Sequence, residues 1–347
     1  ALINNKMKAI DDIIDVLYFS SEGQYFRDHY ITWLKEKEDS KYIEYIYVLS
    51  LLNCLGISEL PTECLVCLIP SKTAKFCLEA FINEFSEVLE ERGGHVRLLR
   101  GRIVASALPT LSSELMKNAI YCLVRYMLGL FSEGDNSEYY EIFQKALRVK
   151  RIRNSSILSC KALNELFVSL EKNCNNISYF WIQYGIASQL VYNFDEANNH
   201  FLYAKSIRPN SYQVAHALAK NDMELGVFQL EKGIASSETI FNQGCENMLK
   251  IISSPEYSYA FNYSVHSYAN MLMKYYTKKN KIIPAHECDL LNGYFKQIIV
   301  YPIDARMKEI IISFYKYCER NHINQYCNGL QHIWKITPIA TSHEESD

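Results

Sequence analysis

The chain has 347 residues, 49% hydrophobic and 22% charged, with 36 Lys+Arg against 39 Asp+Glu. That length suits about two domains and a sizeable buried core, and the composition excludes a disulfide-stapled peptide, a disordered chain and a coiled-coil rod. A formal charge of −3 gives no global pull toward nucleic acid or anionic lipid.

Gly (13) and Pro (8) are scarce, which favours helices over turn-rich sheets. The start at Ala1 carries no basic-then-apolar signal, and Lys6, Lys8, Asp11 and Asp12 interrupt it, so a cytoplasmic chain and a piece of a longer protein are expected. Apolar positions at helical spacing predict helices over 9–19 and 24–37, assigned with their surroundings (1–40) as a helical linker. Tyr42 to Leu55 reads as an apolar helix stopped by Gly56, too short to cross a membrane.

A short helix is expected from Pro61 to Ile69, and a longer one from Ala74 to Glu91, ended by Gly93-Gly94. Cys64 and Cys67 form a C-x-x-C, but they sit on the apolar face of the shorter helix, and zinc ordinarily needs two paired ligand sets. No metal site is expected. Eleven scattered cysteines, an odd number, point to a reducing compartment rather than a disulfide framework.

After Gly93-Gly94, His95–Leu99 and Arg102–Ala105 flank Arg100-Gly101 and read as a β-hairpin. Three helices followed by a hairpin is a winged-helix order, assigned to 41–109. Arg97, Arg100 and Arg102 make the wing basic, suited to an interdomain or phosphate contact. Glu79, Glu84, Glu87, Glu90 and Glu91 on the preceding helix would repel a major groove, which argues against DNA reading.

Helices follow at about 111–131, 137–152 and 157–172. The most specific pattern lies in 178–211: Trp181, Gly185, Ala197, Phe201, Ala204 and Pro209 at relative spacings of 0, 4, 16, 20, 23 and 28. These match the tetratricopeptide (TPR) signature. Trp181 fills the groove between paired helices, Gly185 and Ala197 allow close approach, Phe201 packs toward the next repeat, and Pro209 stops the second helix. Ser188 departs from the pattern, since a large aromatic is usual there. One repeat cannot bury its faces alone, so further helices at 212 onward, 236–252, 257–278, 285–299, 304–320 and 322–334 should stack on it, giving a TPR-like solenoid over 110–340 and a flexible tail at 341–347.

In such an array, first-helix positions off the packing seam line the concave face. They are Tyr179, Ile182, Ile186 and Gln189 in one helix, and Gln213, His216, Lys220 and Met223 in the next. Aromatic and long polar side chains there suit a protein ligand. No phosphate-binding loop, nucleophile elbow, zinc-protease motif, dinucleotide fingerprint or EF-hand loop occurs, so no catalytic residue, metal or cofactor is expected within the chain.

The hairpin Arg97-Leu-Leu-Arg-Gly-Arg-Ile-Val-Ala105, the helix start Trp181-Ile-Gln-Tyr-Gly-Ile-Ala187 and the run Tyr212-Gln-Val-Ala-His-Ala-Leu-Ala219 resemble the C-terminal half of bacterial STAND NTPases, signalling ATPases related to NLR and NB-ARC receptors. The resemblance covers nearly the whole chain. It implies an antiphage sensor region in which the repeats bind an invader (phage) protein and the winged helix relays this to oligomerisation. ATP and Mg would be bound only by a missing N-terminal NTPase, joined to an effector such as a nuclease or an NAD-consuming domain. Gly101 stands where that family commonly has His, which weakens a nucleotide contact from this module. A different class, a stand-alone TPR adaptor or winged-helix/TPR regulator, fits the same residues.

Overall fold

A computed structural model describes residues 31–69, 76–99, 113–156, 158–300 and 303–327. The chain is mainly helical, with one small three-stranded antiparallel sheet. It divides into two compact units, Ala1–Ile207 and Arg208–Asp347.

Unit 1 opens with helical residues 31–36, then α1 (Ile43–Cys54), β1 (Glu59–Pro61), α2 (Thr62–Leu68), α3 (Leu78–Glu84), β2 (Leu89–Arg92) and β3 (His95–Leu98). Gly56 follows the C-cap Leu55 of α1, and its φ of +83° is left-handed backbone that glycine adopts without strain. Arg151 Nη1 donates to the Leu55 carbonyl (2.8 Å), satisfying an oxygen that the finished helix leaves open. β3 lies between β1 and β2. An aromatic core fills the space beneath: Tyr45 and Phe76 have ring centroids 4.7 Å apart, and Trp33 meets Phe85 edge-on at 5.7 Å.

The helix expected over 74–91 is shorter than its apolar pattern. It stops at Glu84, and Leu89–Arg92 is a strand. Gly93 and Gly94, both at positive φ (60° and 81°), make the two-residue turn of the β2–β3 hairpin rather than a helix stop. Glu90 and Glu91 therefore belong to the sheet. Residues 100–112, which include the expected second strand and Arg100 and Arg102, lie outside the described residues, as do residues 1–30.

Unit 1 continues with α4 (Ser113–Met127), α5 (Glu138–Leu147), α6 (Val149–Asn154), α7 (Cys160–Leu170), α8 (Ser178–Leu190) and α9 (Phe194–Ile207). The single helix expected at 137–152 is two, broken at Arg148, whose ψ of 98° is extended. Unit 2 holds α10 (Tyr212–Glu231), α11 (Ser237–Ser253), a 3₁₀ turn (Pro255–Ala260), α12 (Phe261–Lys278), α13 (Ala285–Ile298), α14 (Ala305–Arg320) and a second 3₁₀ turn (Asn324–Cys327). The pattern read as one helix from 257 thus begins as 3₁₀. No helix among the described residues is long and apolar enough to cross a membrane.

Candidate functional site

The sequence signature over 178–211 coincides with the α8–α9 hairpin. Trp181, Gly185, Ala197, Phe201 and Ala204 are all buried in it. Gly185 faces the Phe201 ring, and Trp181 lies against Tyr203 (4.4 Å) and donates through Nε1 to the Asn175 carbonyl (3.0 Å). At the start of α9, Asn193 Oδ1 accepts from Glu196 N–H (3.3 Å), while Asn193 Nδ2 donates back to the Glu196 carboxylate (2.6 Å). The first bond is an asparagine N-cap, and the second holds the capping side chain in place. Ser188 is buried, and its hydroxyl donates to the Tyr184 carbonyl (3.3 Å).

α8 is covered on almost every side, so it acts as the hub of its unit. Phe167 of α7 stacks on Tyr184, Phe143 of α5 packs near Tyr179, and Gln183 Oε1 accepts from Val149 N–H at the start of α6. Its first turn is held from a distant loop. Glu133 accepts from the Ser178 and Tyr179 N–H groups, both at 2.9 Å. A carboxylate at a helix N-terminus meets orphan donors and the positive end of the dipole.

The eight expected partner-contact residues fall four in each unit. Tyr179 and Ile182 are buried, Tyr179 with its hydroxyl donating to the Gln144 carbonyl (3.0 Å), while Ile186 and Gln189 are half-buried. In unit 2, Met223 is fully buried beneath Gly244 of α11. His216 is also buried, its Nε2 2.9 Å from Ser267 Oγ of α12, and burial depresses its pKa to about 3, so the ring is neutral. Gln213 is exposed, and Lys220 is half-buried with Glu224 at 3.5 Å. Four of the eight thus present side chains that a partner could touch: Ile186, Gln189, Gln213 and Lys220.

Sequence reasoning missed the best exposed aromatics of unit 2. Tyr259 (78% exposed) and Tyr263 (45%) edge the buried Tyr212, each within 6.3 Å between ring centroids, and Tyr263 lies 4.8 Å from His216. The signal was the tyrosine-rich run Tyr257–Tyr263 directly after Pro255. Beside it, a groove of about 440 Å³ has Ile252, Pro255, Phe261 and Ile298 among its lining, with serine and amide side chains and no charged group.

Arg97 sits on β3 with Glu59 of β1 and Glu90 of β2 as its cross-strand partners, so acids flank its charge within the sheet. Cys64 is buried and Cys67 donates to the Cys64 carbonyl (2.9 Å); burial pushes both thiols up to about 12. Neither is a thiolate at neutral pH. Among the described residues, no group of three or more His, Cys, Asp or Glu is arranged to hold a metal ion. No family model, curated protein or solved structure matches this chain.

Proposed function

We propose that this chain is the protein-recognition (sensor) region of a STAND NTPase, binding a phage protein through helical repeats and relaying that event to an ATPase and effector encoded elsewhere in the same protein. The observation that carries this reading is the element order of the first module. Helix, strand, helix, helix and hairpin, with β3 between β1 and β2, is compatible with a winged helix and supports this reading. Helical hairpins with glycine at the close approach follow it, as TPR-like repeats require. The chain itself binds rather than catalyses; ATP and Mg belong to the NTPase. Ile186 and Gln189 in one unit, and Gln213, Lys220, Tyr259 and Tyr263 in the other, offer the side chains for partner contact. Binding shifts the receptor only by its differential affinity for the active arrangement.

The test is the reading frame upstream of Ala1. An in-frame phosphate-binding loop is expected, and co-expression of the whole protein with individual phage proteins would then identify the trigger. A stop codon or an initiator Met immediately upstream would overturn the sensor reading and leave a free-standing TPR adaptor.

A further inference from the structure

The turn of the β2–β3 hairpin is tied to two helices. Thr62 N–H, at the start of α2, donates to the Gly94 carbonyl (2.9 Å), and the Tyr139 hydroxyl of α5 donates to Glu63 of α2 (2.6 Å). The direct tie from hairpin to α5 is His95. Its Nδ1 lies 3.1 Å from the Gly93 carbonyl oxygen, and its Nε2 lies 2.8 and 3.0 Å from the two carboxylate oxygens of Glu138. A carbonyl and a carboxylate only accept hydrogen bonds. A neutral imidazole has one N–H and can satisfy one of them, whereas the imidazolium satisfies both.

We propose that doubly protonated His95 is a pH-dependent latch holding the hairpin turn to the start of α5, and that loss of its proton, which leaves one of its two bonds unmade and removes the ion pair with Glu138, loosens the turn. The charged groups around it are Glu138 of α5, Glu59 of β1 and Glu63 of α2, which favour the cation; Arg92 is its cross-strand partner on β2. The hydrogen bond to Glu138, then that to the Gly93 carbonyl, raises the His95 pKa above its ordinary value. Stabilisation from a raised histidine pKa is complete below the unfolded value of about 6.5 and is lost as pH rises through the folded one. The latch is therefore closed on the acid side and opens toward alkaline pH. It does not depend on the sensor reading.

Hydrogen exchange of residues 89–98 in the intact chain, corrected for the intrinsic pH dependence of exchange, tests this between about pH 5.5 and pH 9, a span that brackets the ordinary imidazole value. Hairpin opening should rise severalfold across that span. Its midpoint should coincide with the His95 ring titration followed by NMR. Glu138→Ala, which removes the acceptor at an exposed position, should show the open level at every pH while α8 exchanges as before. Flat hairpin opening in the unaltered chain would overturn the latch, and so would an unchanged pH dependence in Glu138→Ala.

Discussion

Gly185 of α8 lies beneath the ring of Phe201 of α9, so near that a Cβ on the glycine would stand 2.7 Å from both Cδ1 and Cζ. The same device recurs in the second unit with backbone in place of a ring. A Cβ placed on Gly226 of α10 would stand 2.6 Å from the Cβ of Phe241, and one on Gly244 of α11 would stand 2.7 Å from the backbone N of Met223 and 2.9 Å from the carbonyl oxygen of Ala219. In each hairpin a missing side chain sets the interhelical distance, and the dispersion gained by close packing depends on it.

Gly185→Ala sets two effects against each other. Alanine gains about 1 kcal/mol of helix propensity over glycine, while overpacking against a fully buried ring costs about 1–3 kcal/mol. The net expectation is a loss of up to about 2 kcal/mol by urea unfolding. Placed in a Phe201→Leu background, where the ring is gone, the same change should become stabilising. An additive double-mutant cycle would show that ring and glycine do not share the space.

Gly244→Ala should behave differently, because two of its three nearest atoms are backbone and no rotamer change can move them. We expect a loss of about 2–3 kcal/mol, at the upper end of overpacking penalties. Met223→Ala in the same chain should not rescue it. Rescue would mean that the Met223 side chain, rather than the backbone, limits the approach of α10 and α11.

The periodic apolar faces were legible in the sequence, and so were α8 and α9, because Trp181, Gly185, Ala197 and Phe201 carry packing roles tied to spacing. Gly226 and Gly233 have no counterpart in the spacing of that signature. In the structure Gly226 is a contact glycine, whereas Gly233, at φ +70°, lies just past the end of α10. Both roles depend on a partner or a dihedral that sequence spacing does not record. The helical period of Phe81, Phe85, Val88 and Leu89 carries the expected helix on to Glu91, whereas Leu89–Arg92 is strand. All four are buried, but the pairing partner that turns the last residues into strand lies across the glycine turn in His95–Leu98. The candidate partner surface was the least legible part. Tyr179, Ile182, His216 and Met223 were sorted by repeat geometry, and their burial is decided by neighbours from other helices.

Glu133 supports α8 from outside it, so its removal should loosen the hub without touching the core. Glu133→Ala leaves the Ser178 and Tyr179 N–H groups without their carboxylate and should cost about 1–2 kcal/mol, the range of a lost N-cap and dipole interaction. Glu133→Gln keeps one acceptor and should cost roughly half of that, since a capping acceptor without charge forgoes the dipole contribution. Chemical denaturation followed at Trp181, within the first turns of α8, reads the difference. Equal stability of all three proteins would mean that water caps the helix as well as the carboxylate does.

Acid should weaken the second unit through His216. Burial first, then Lys220 and His266, hold its pKa at about 3, far below the ordinary value, and the ring bonds Ser267 as a neutral group. Between that pH and about 6.5 the unfolded chain binds a proton that the folded chain refuses, so stability is complete above about 6.5 and falls with acidification. Lowering the pH from 7 to 5 should cost about 2 kcal/mol from this residue alone, a figure set by the unfolded value provided the folded one stays well below 5. His266, depressed mainly by burial, acts in the same direction, and His200 does so in the first unit. His216→Gln retains a polar group for Ser267 without a proton to bind, so its unfolding free energy should fall less steeply over that interval. Parallel pH profiles for the two proteins would show that His216 accepts its proton in the folded state.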